Sequence, residues 1–550
     1  MRLKQTHKFA KNLAYLILHK LHCSVRNNFK RISTECYEWD NFLLFFVKTS
    51  FAKSDQTESP NMMYCRIIFL SLLACASYTV CQEYKTVSTC SGPVKGIVEY
   101  RGNEKIYNFR GIPYAKPPIG DLRFRKPEPI ESWVNVLDAT RFGAPCVQSQ
   151  LFGNVFYGGS VSEDCLYLNI YVPNNISMTN KMAVMVWIHG GGYSQGEGAS
   201  YDGGNLAIKG DVIVVTFNYR LGIFGFLNTN DNESPGNFGL WDQNMVFQWV
   251  KSNIEAFGGN PSAITIFGES AGGMSVSYHT LIPYNKGLFQ RAIAQSGTAF
   301  SSPVPTASKN KDFINFINGK LNCTSSTQFN TSEFVQCLKR KSYTELNNVG
   351  SGYMNIETGT LQGIPVAPSI DGDLITTDPD VLLSDKTSYA YNFFRSLDYM
   401  AGTTDGEASI FLTVLSLLES MKVININLTE GISKEFLCET FSQDMAKSYF
   451  KNSPKAAKAL CDKYSYHGNE DKLIQQGILV ADMSTDLYFI GPTVKTLKIH
   501  EDKNTERKTY HYFFSRAIPE IFGMVSPPWF TKASHGTELA FIFGVVTSIF

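Results

Sequence analysis

Residues 268–272 read Gly-Glu-Ser-Ala-Gly, a G-x-S-x-G. An apolar stretch, AITIF at 263–267, comes before it, and a helix-compatible run, GGMSVSYHTLI, follows. Strand, sharp turn and helix in that order lift a serine hydroxyl clear of a sheet edge. Side chains two residues either side of Ser270 would come too close, which accounts for both glycines. A bare G-x-S-x-G is a weak signal; in this context it marks Ser270 as a nucleophile. A serine hydroxyl attacks poorly at its own pKa. It needs a base, and donors for the oxyanion that develops. His189-Gly190-Gly191-Gly192, at the end of the apolar run MAVMVWI, can supply donors, because successive glycines let the backbone approach closely and aim N–H groups inward. The amide of Ala271 completes that set. A glycine run can also be a plain turn, but its place at a strand end, together with the elbow, favours the donor reading.

The base is expected after an acid, in the order Ser, Asp/Glu, His. Five histidines follow the serine: His279, His467, His500, His511 and His535. His279 lies on the helix leaving the elbow and points away. His467 and His500 sit in charged surroundings and read as surface residues. His511, in TYHYFF, reads as a core or edge residue. His535 lies in a polar turn, SHGTE, before the apolar run LAFIFG, where a base can be held over a sheet end. The acid is less defined. Asp405 and Glu407 share the polar turn GTTDGE, and spacing does not separate them.

The elements that must hold these groups are legible as apolar runs. Residues 182–188, 212–218 (VIVVTFN) and 263–267 read as strands buried on both faces. Between the last two, apolar residues at 246, 249, 250, 254 and 257 have helical spacing, and Gly258-Gly259 ends the run. Strand, helix, strand implies a parallel crossover and an α/β sheet. No repeat or low-complexity linker divides residues 87–550, so they are read as one large domain. The 550 residues are 43% hydrophobic and 18% charged, which excludes a disordered chain. Lys+Arg is 50 against 49 Asp+Glu, and nucleic acid is not an expected partner.

That balance hides an asymmetry. Residues 1–61 carry ten Lys/Arg against five Asp/Glu, leaving forty against forty-four in the rest. Residues 1–61 show no sustained periodicity, and their apolar bits are too short to span a bilayer. They are expected to lie outside the fold, with translation starting at Met62 or Met63. Arg66 and the apolar run IIFLSLLACA then read as a secretory signal over residues 62–81, cleaved after Ala76 or near Cys81. The competing reading is a buried apolar segment. Residues 82–550 are left as the domain. Five of the 12 cysteines lie in the leader region, so seven remain. None shows C-x-x-C spacing, and no metal is expected. Sequons at Asn175, Asn322, Asn330 and Asn427 are glycosylation candidates; Asn232 is doubtful because Pro235 follows its serine.

Several blocks in order carry a family resemblance: EDCLYLN at 163–169, HGGG at 189–192, NYR at 218–220, GGNP at 258–261, GESAG at 268–272 and HGTEL at 535–539. Together they resemble the type B carboxylesterase and cholinesterase family. The resemblance implies an α/β-hydrolase fold, a large, mostly parallel sheet flanked by helices. It implies Ser270 as nucleophile, His535 as base and Glu407 as acid, the last because Ala408-Ser409 follows it in the family's register. It implies oxyanion donors at Gly191, Gly192 and Ala271, local disulfides Cys146–Cys165 and Cys323–Cys337, and no cofactor. The pairing of Cys90, Cys438 and Cys461 stays open.

The implied activity is hydrolysis of carboxylic esters through an acyl-serine, by a secreted enzyme similar to insect carboxylesterases of the venom type. The expected partner is a small-molecule ester, with no nucleic acid and no stable membrane anchor; oligomeric state is not legible. Departures from the family bear on the subclass. The loop between Cys146 and Cys165 has no Trp to bind quaternary ammonium, leaving Phe152, Phe156 and Tyr157 to pack a substrate. Glu269, where juvenile-hormone esterases usually have Gln, argues against that alternative. Members of the family usually continue well past the histidine block, whereas this chain stops at Phe550 on the run IFGVVTSIF. The expectation is a C-terminally truncated, poorly stable product. The alternative function is a catalytically impaired, cholinesterase-like binding protein.

Overall fold

The computed structural model describes residues 82–148, 159–174, 176, 179–301, 307–324, 329–352, 367–420, 422, 424–469, 472–501, 507–518 and 526–544. Contacts divide the chain into Met1–Cys81 and Gln82–Phe550, and every described residue belongs to the second unit. The readings of residues 1–61 and 62–81, the sequon at Asn175, the aromatics Phe152, Phe156 and Tyr157, and residues 545–550 lie outside the described residues.

Among the described residues eleven strands make one sheet: β1 (Tyr84–Ser88), β2 (Pro93–Arg101), β3 (Glu104–Pro113), β4 (Leu137–Asp138), β5 (Tyr167–Pro173), β6 (Met182–Ile188), β7 (Ile213–Phe217), β8 (Gly259–Glu269), β9 (Arg291–Gln295), β10 (Asp398–Thr404) and β11 (Thr509–Phe514). Their order is β1-β2-β3-β5-β7-β6-β8-β9-β10-β11, with β4 on β2. From β7 to β11 all pairings are parallel. β1, β2, β3 and β5 join antiparallel, and β5 meets β7 antiparallel. The sheet is thus parallel over the half that carries the elbow. The three strands read from apolar runs are its centre: β6 lies between β7 and β8, and Val184, Val186, Val215 and Ile266 are wholly buried. Strands covered on both faces need apolar residues at every position, which explains their continuous runs.

The helices that bear on the site are α1 (Gly204–Gly210), α2 (Phe238–Asn253), α3 (Ala271–His279), α4 (Ser409–Ser420), α5 (Ser442–Tyr449), α6 (Pro454–Tyr464), α7 (Lys472–Thr485) and α8 (Gly491–His500). α2 is the crossover helix before β8. It starts earlier than its apolar spacing shows, and it tightens into a 3-10 turn over Ile254–Phe257. Gly258, at φ +84°, ends it in the left-handed region that favours glycine. Helices α4 to α7 bury a hydrophobic cluster of their own, which includes Leu412, Leu437, Met445 and Met483. α7 and α8 are joined through a single π turn, Asp486–Ile490.

His500 is a correction. It is fully buried in the last turn of α8, with Nε2 3.0 Å from the Leu397 carbonyl and Nδ1 2.7 Å from Thr509 Oγ1. Thr493, Thr496, Leu497 and His500 share the inward face, while Lys498 and Glu501 point to water. The charged neighbours therefore described the opposite face of the helix. His467 is exposed, and so is His511 on the edge strand β11. His279 is buried behind the elbow between Gln243 and Asn285.

Disulfides join Cys146 to Cys165 and Cys323 to Cys337. A third, Cys438–Cys461, ties the π turn Phe436–Phe441 to α6, and Cys90 is free and exposed. Asn322, Asn330 and Asn427 are exposed, and Asn330 also caps the helix Thr331–Arg340 by accepting from the Glu333 amide. Among the described residues no helix is long and apolar enough to cross a membrane.

Candidate active site

Ser270 occupies the turn between β8 and α3 with φ +58° and ψ −124°, a backbone conformation that L residues rarely adopt. Such strain persists only where the surroundings enforce it. Here a Cβ on Gly272 would stand 2.0 Å from the Ile188 carbonyl oxygen, and one on Gly268 2.6 Å from the same atom. The Ser270 amide is pinned to the Gln295 carbonyl of β9 at 2.9 Å. The two glycines thus let strand and helix close on β6, and the closure forces the serine outward.

The glycine run after β6 lies directly over this turn. A Cβ on Gly190 would meet the Glu269 carbonyl oxygen at 2.7 Å and Ser270 Cβ at 3.1 Å. Gly191 and Gly192 have φ of +100° and +61°. Within the described residues the amides of Gly191, Gly192 and Ala271 donate to no protein acceptor. Ala271 is the first residue of α3, so its N–H also sits at the positive end of the helix dipole. His189 is buried and stacks on Tyr219 with ring centroids 4.3 Å apart. Burial pushes its pKa down to about 4, so the ring is neutral at pH 7. Its Nδ1, 2.8 Å from the Gly190 carbonyl oxygen, carries the proton as donor.

His535 is held from both sides. Its amide donates to Ser409 Oγ at 2.8 Å, and its Nδ1 lies 2.5 Å from Glu407 Oε2. Glu407 is fully buried, and its Oε1 accepts from Ser296 Oγ at 2.6 Å and the Thr404 amide at 2.7 Å. Asp405 does something else: it accepts from the Ala533 amide at 2.8 Å and so fixes the loop before the histidine. The Phe489 ring packs 5.0 Å from the imidazole. Nε2 makes no hydrogen bond, to Ser270 Oγ or to any other described protein atom. It faces Glu269 Oε1, the residue before the serine, at 3.1 Å without hydrogen-bond alignment. In ligand-free sites such contacts are often open and tighten around substrate.

Two further buried carboxyls surround the imidazole. Glu538 is not singled out by the sequence, and Glu269 enters there only as a mark of subclass, although both lie inside its motifs. Burial by itself disfavours the imidazolium, but the charges of Glu269, Glu407 and Glu538 outweigh it and raise His535 to about 9. Burial likewise pushes Glu269 and Glu538 above the usual carboxylate range, each reinforced by neighbouring carboxylates. These titrations are linked, since protonating Glu269 removes part of the field that raises His535. Gln295 Nε2 donates to Glu538 Oε1 at 3.2 Å, so this second layer is itself anchored to β9.

The model of the Carboxylesterase family matches residues 83–548. The chain belongs to that family. The family is named for carboxylic ester hydrolysis, and the fold is that of an α/β hydrolase. The chain is 35% identical over 498 residues to human bile salt-activated lipase, covering 87% of this chain and 61% of the lipase. It is 34% identical over 477 residues to the duck (Anas platyrhynchos) fatty acyl-CoA hydrolase precursor, medium chain, covering 84% of this chain and 79% of that protein. Rat carboxylesterase 1D is 33% identical over 496 residues, covering 87% and 83%. Among solved structures, PNB esterase aligns with a TM-score of 0.66 at 32% identity, covering 85% of this chain and 86% of that one.

Proposed function

We propose that the protein is a secreted serine carboxylesterase with Ser270 as nucleophile, His535 as base, Glu407 as the acid that orients it, and the amides of Gly191, Gly192 and Ala271 as oxyanion donors. The observation that carries this is the buried Glu407–His535 pair set beside a strained serine turn, beneath three unengaged amides. His535 Nε2 takes the Ser270 proton as Oγ bonds to the ester carbonyl carbon. The carbonyl oxygen becomes an oxyanion held by the three amides. Collapse breaks the bond to the alcohol oxygen, which leaves with the proton from Nε2. Water then attacks the acyl-serine by the same route, giving the carboxylic acid and free Ser270. The carboxylates around His535 stabilise the imidazolium that forms at each attack.

Secretion is supported by the signal-like run at residues 62–81, three disulfides, and exposed sequons at Asn322, Asn330 and Asn427. Secreted material is expected to begin near residues 77–83; recovery of peptides from residues 1–61 would contradict that start. The activity is tested with a short-chain p-nitrophenyl ester and an organophosphate. Wild type is expected to hydrolyse the ester and to gain the organophosphate mass on Ser270, and Ser270→Ala to do neither. Equal rates for wild type and Ser270→Ala would end the enzyme reading.

A further inference from the structure

The glycine turn that carries two of the proposed oxyanion donors is tied to the fold at its entrance, at Tyr193, whose carbonyl accepts from the Gly222 amide at 2.8 Å, and at its exit. At its entrance, Tyr219 Oη donates to the His189 carbonyl at 2.9 Å, and the Tyr219 ring stacks on the imidazole. At its exit stands Gly196, at φ +119°, where a Cβ would fall 2.3 Å from His189 Nδ1. No side chain fits there, so the exit must be held by a side chain from elsewhere. Gln148 supplies it. Its Oε1 accepts from the Gly196 amide at 2.7 Å, and its Nε2 donates to the Gly196 carbonyl at 2.9 Å and to the Cys146 carbonyl at 3.0 Å. Gln148 is buried, and it lies two residues after a cysteine of the Cys146–Cys165 disulfide. A second carboxamide follows the same logic. Asn218 Oδ1 accepts from the Gly198 amide at 2.8 Å, while its Nδ2 donates to the Ala144 and Cys165 carbonyls at 3.0 and 3.2 Å. Between entrance and exit the turn folds on itself, with the Ser194 and Gln195 amides both donating to the Gly191 carbonyl at 3.1 Å.

We infer that Gln148 is a positioning residue for oxyanion stabilisation: its carboxamide grips both sides of the Gly196 peptide and so transmits the rigidity of the disulfide segment to the donors at Gly191 and Gly192. The inference rests on the serine-esterase reading. A primary amide is required because one group must both accept and donate in the same plane. Gln148→Met keeps the volume and loses all three bonds. Gln148→Glu keeps the acceptor and loses both donations.

The test compares wild type, both variants and Ser270→Ala by ester kinetics, by inhibition with a trifluoromethyl ketone, which forms a tetrahedral adduct, and by hydrogen exchange over residues 189–197. A donor displaced by about 1 Å can cost about 100-fold. Gln148→Met is expected to lower kcat by about 10- to 100-fold with KM within about threefold, and to weaken the ketone in the same proportion. Gln148→Glu is expected to lose at least as much, because its second oxygen would face the Gly196 and Cys146 carbonyl oxygens in place of a donor. Exchange over residues 189–197 should quicken in both variants while the β8–α3 segment is unchanged. A merely structural role would lower thermal stability and leave kcat and ketone affinity alike, and that result overturns the inference. If Gln148→Met does not fold, Gln148→Glu decides by the same measures. If wild type proves inactive, the esterase reading fails by itself. Unchanged exchange over residues 189–197 overturns the clamp whatever the activity does.

Discussion

Changing Glu407 to Gln tests the proposed triad with the fewest atoms altered, and the structure dictates how the new amide must lie. Oε1 accepts from the Thr404 amide at 2.7 Å and from Ser296 Oγ at 2.6 Å. The Thr404 N–H cannot turn away, so the glutamine oxygen must stay on it. The reverse orientation would set two donors against each other in a fully buried place, at a cost of about 1–3 kcal/mol. The glutamine NH2 therefore takes the position of Oε2, 2.5 Å from His535 Nδ1 in the wild type. A donor there makes Nδ1 the acceptor and puts the imidazole proton on Nε2, the nitrogen that must take the proton from Ser270. The base is held in the wrong tautomer. The expected loss in kcat is on the order of 10⁴, about 5.5 kcal/mol of barrier, with KM little changed because the amide touches no substrate. The assay is p-nitrophenyl ester turnover, with circular dichroism and thermal melting to show that the fold is kept. A folded Glu407→Gln protein with kcat within about tenfold of wild type would refute the reasoning.

Three further outcomes are expected. The carboxylates around His535 raise it to about 9, and only the neutral imidazole is a base, so kcat/KM should climb as pH rises toward 9. Glu269→Gln removes one negative charge, so the climb should move to lower pH; a pH–rate profile checks this, and an unmoved or raised limb would count against it. Gly272→Ala puts a Cβ 2.0 Å from the Ile188 carbonyl oxygen and should destabilise the protein by about 3 kcal/mol in urea denaturation; an unchanged midpoint would mean the elbow is looser than described. Arg220 and Asp242 form a buried two-point pair at 2.7 and 2.8 Å, so Arg220→Met should cost about 3–5 kcal/mol by the same measurement, and a loss under about 1 kcal/mol would contradict the pairing.

Local chemistry explains what was legible. The elbow shows in sequence because its requirement is steric and lies within five residues: a strand, a glycine, the serine, a glycine and a helix. β6, β7 and β8 show because a strand buried on both faces needs apolar residues throughout. The antiparallel half of the sheet was less visible. β2 and β3 alternate or break their apolar pattern, and their pairing depends on partners distant in the chain. The charged neighbours of His500 along the chain say little about it, because its burial follows the helix face.

By itself the sequence determined the fold class, the central strands, the serine turn and, through its ordered motifs, the family. Spacing leaves Asp405 and Glu407 open and the family's register implies Glu407, but the physical reason lies in the tertiary structure. Both lie in one polar turn, and only the approach of Ser296, Thr404 and the loop before His535 gives one of them the imidazole and the other the Ala533 amide. The same holds for Glu269, Glu538 and the grip of Gln148 on Gly196. A residue's type states what it can donate, accept or ionise. Its partner, and the dielectric it ionises in, depend on chain segments far away in sequence, as the separation of 128 positions from Glu407 to His535 shows.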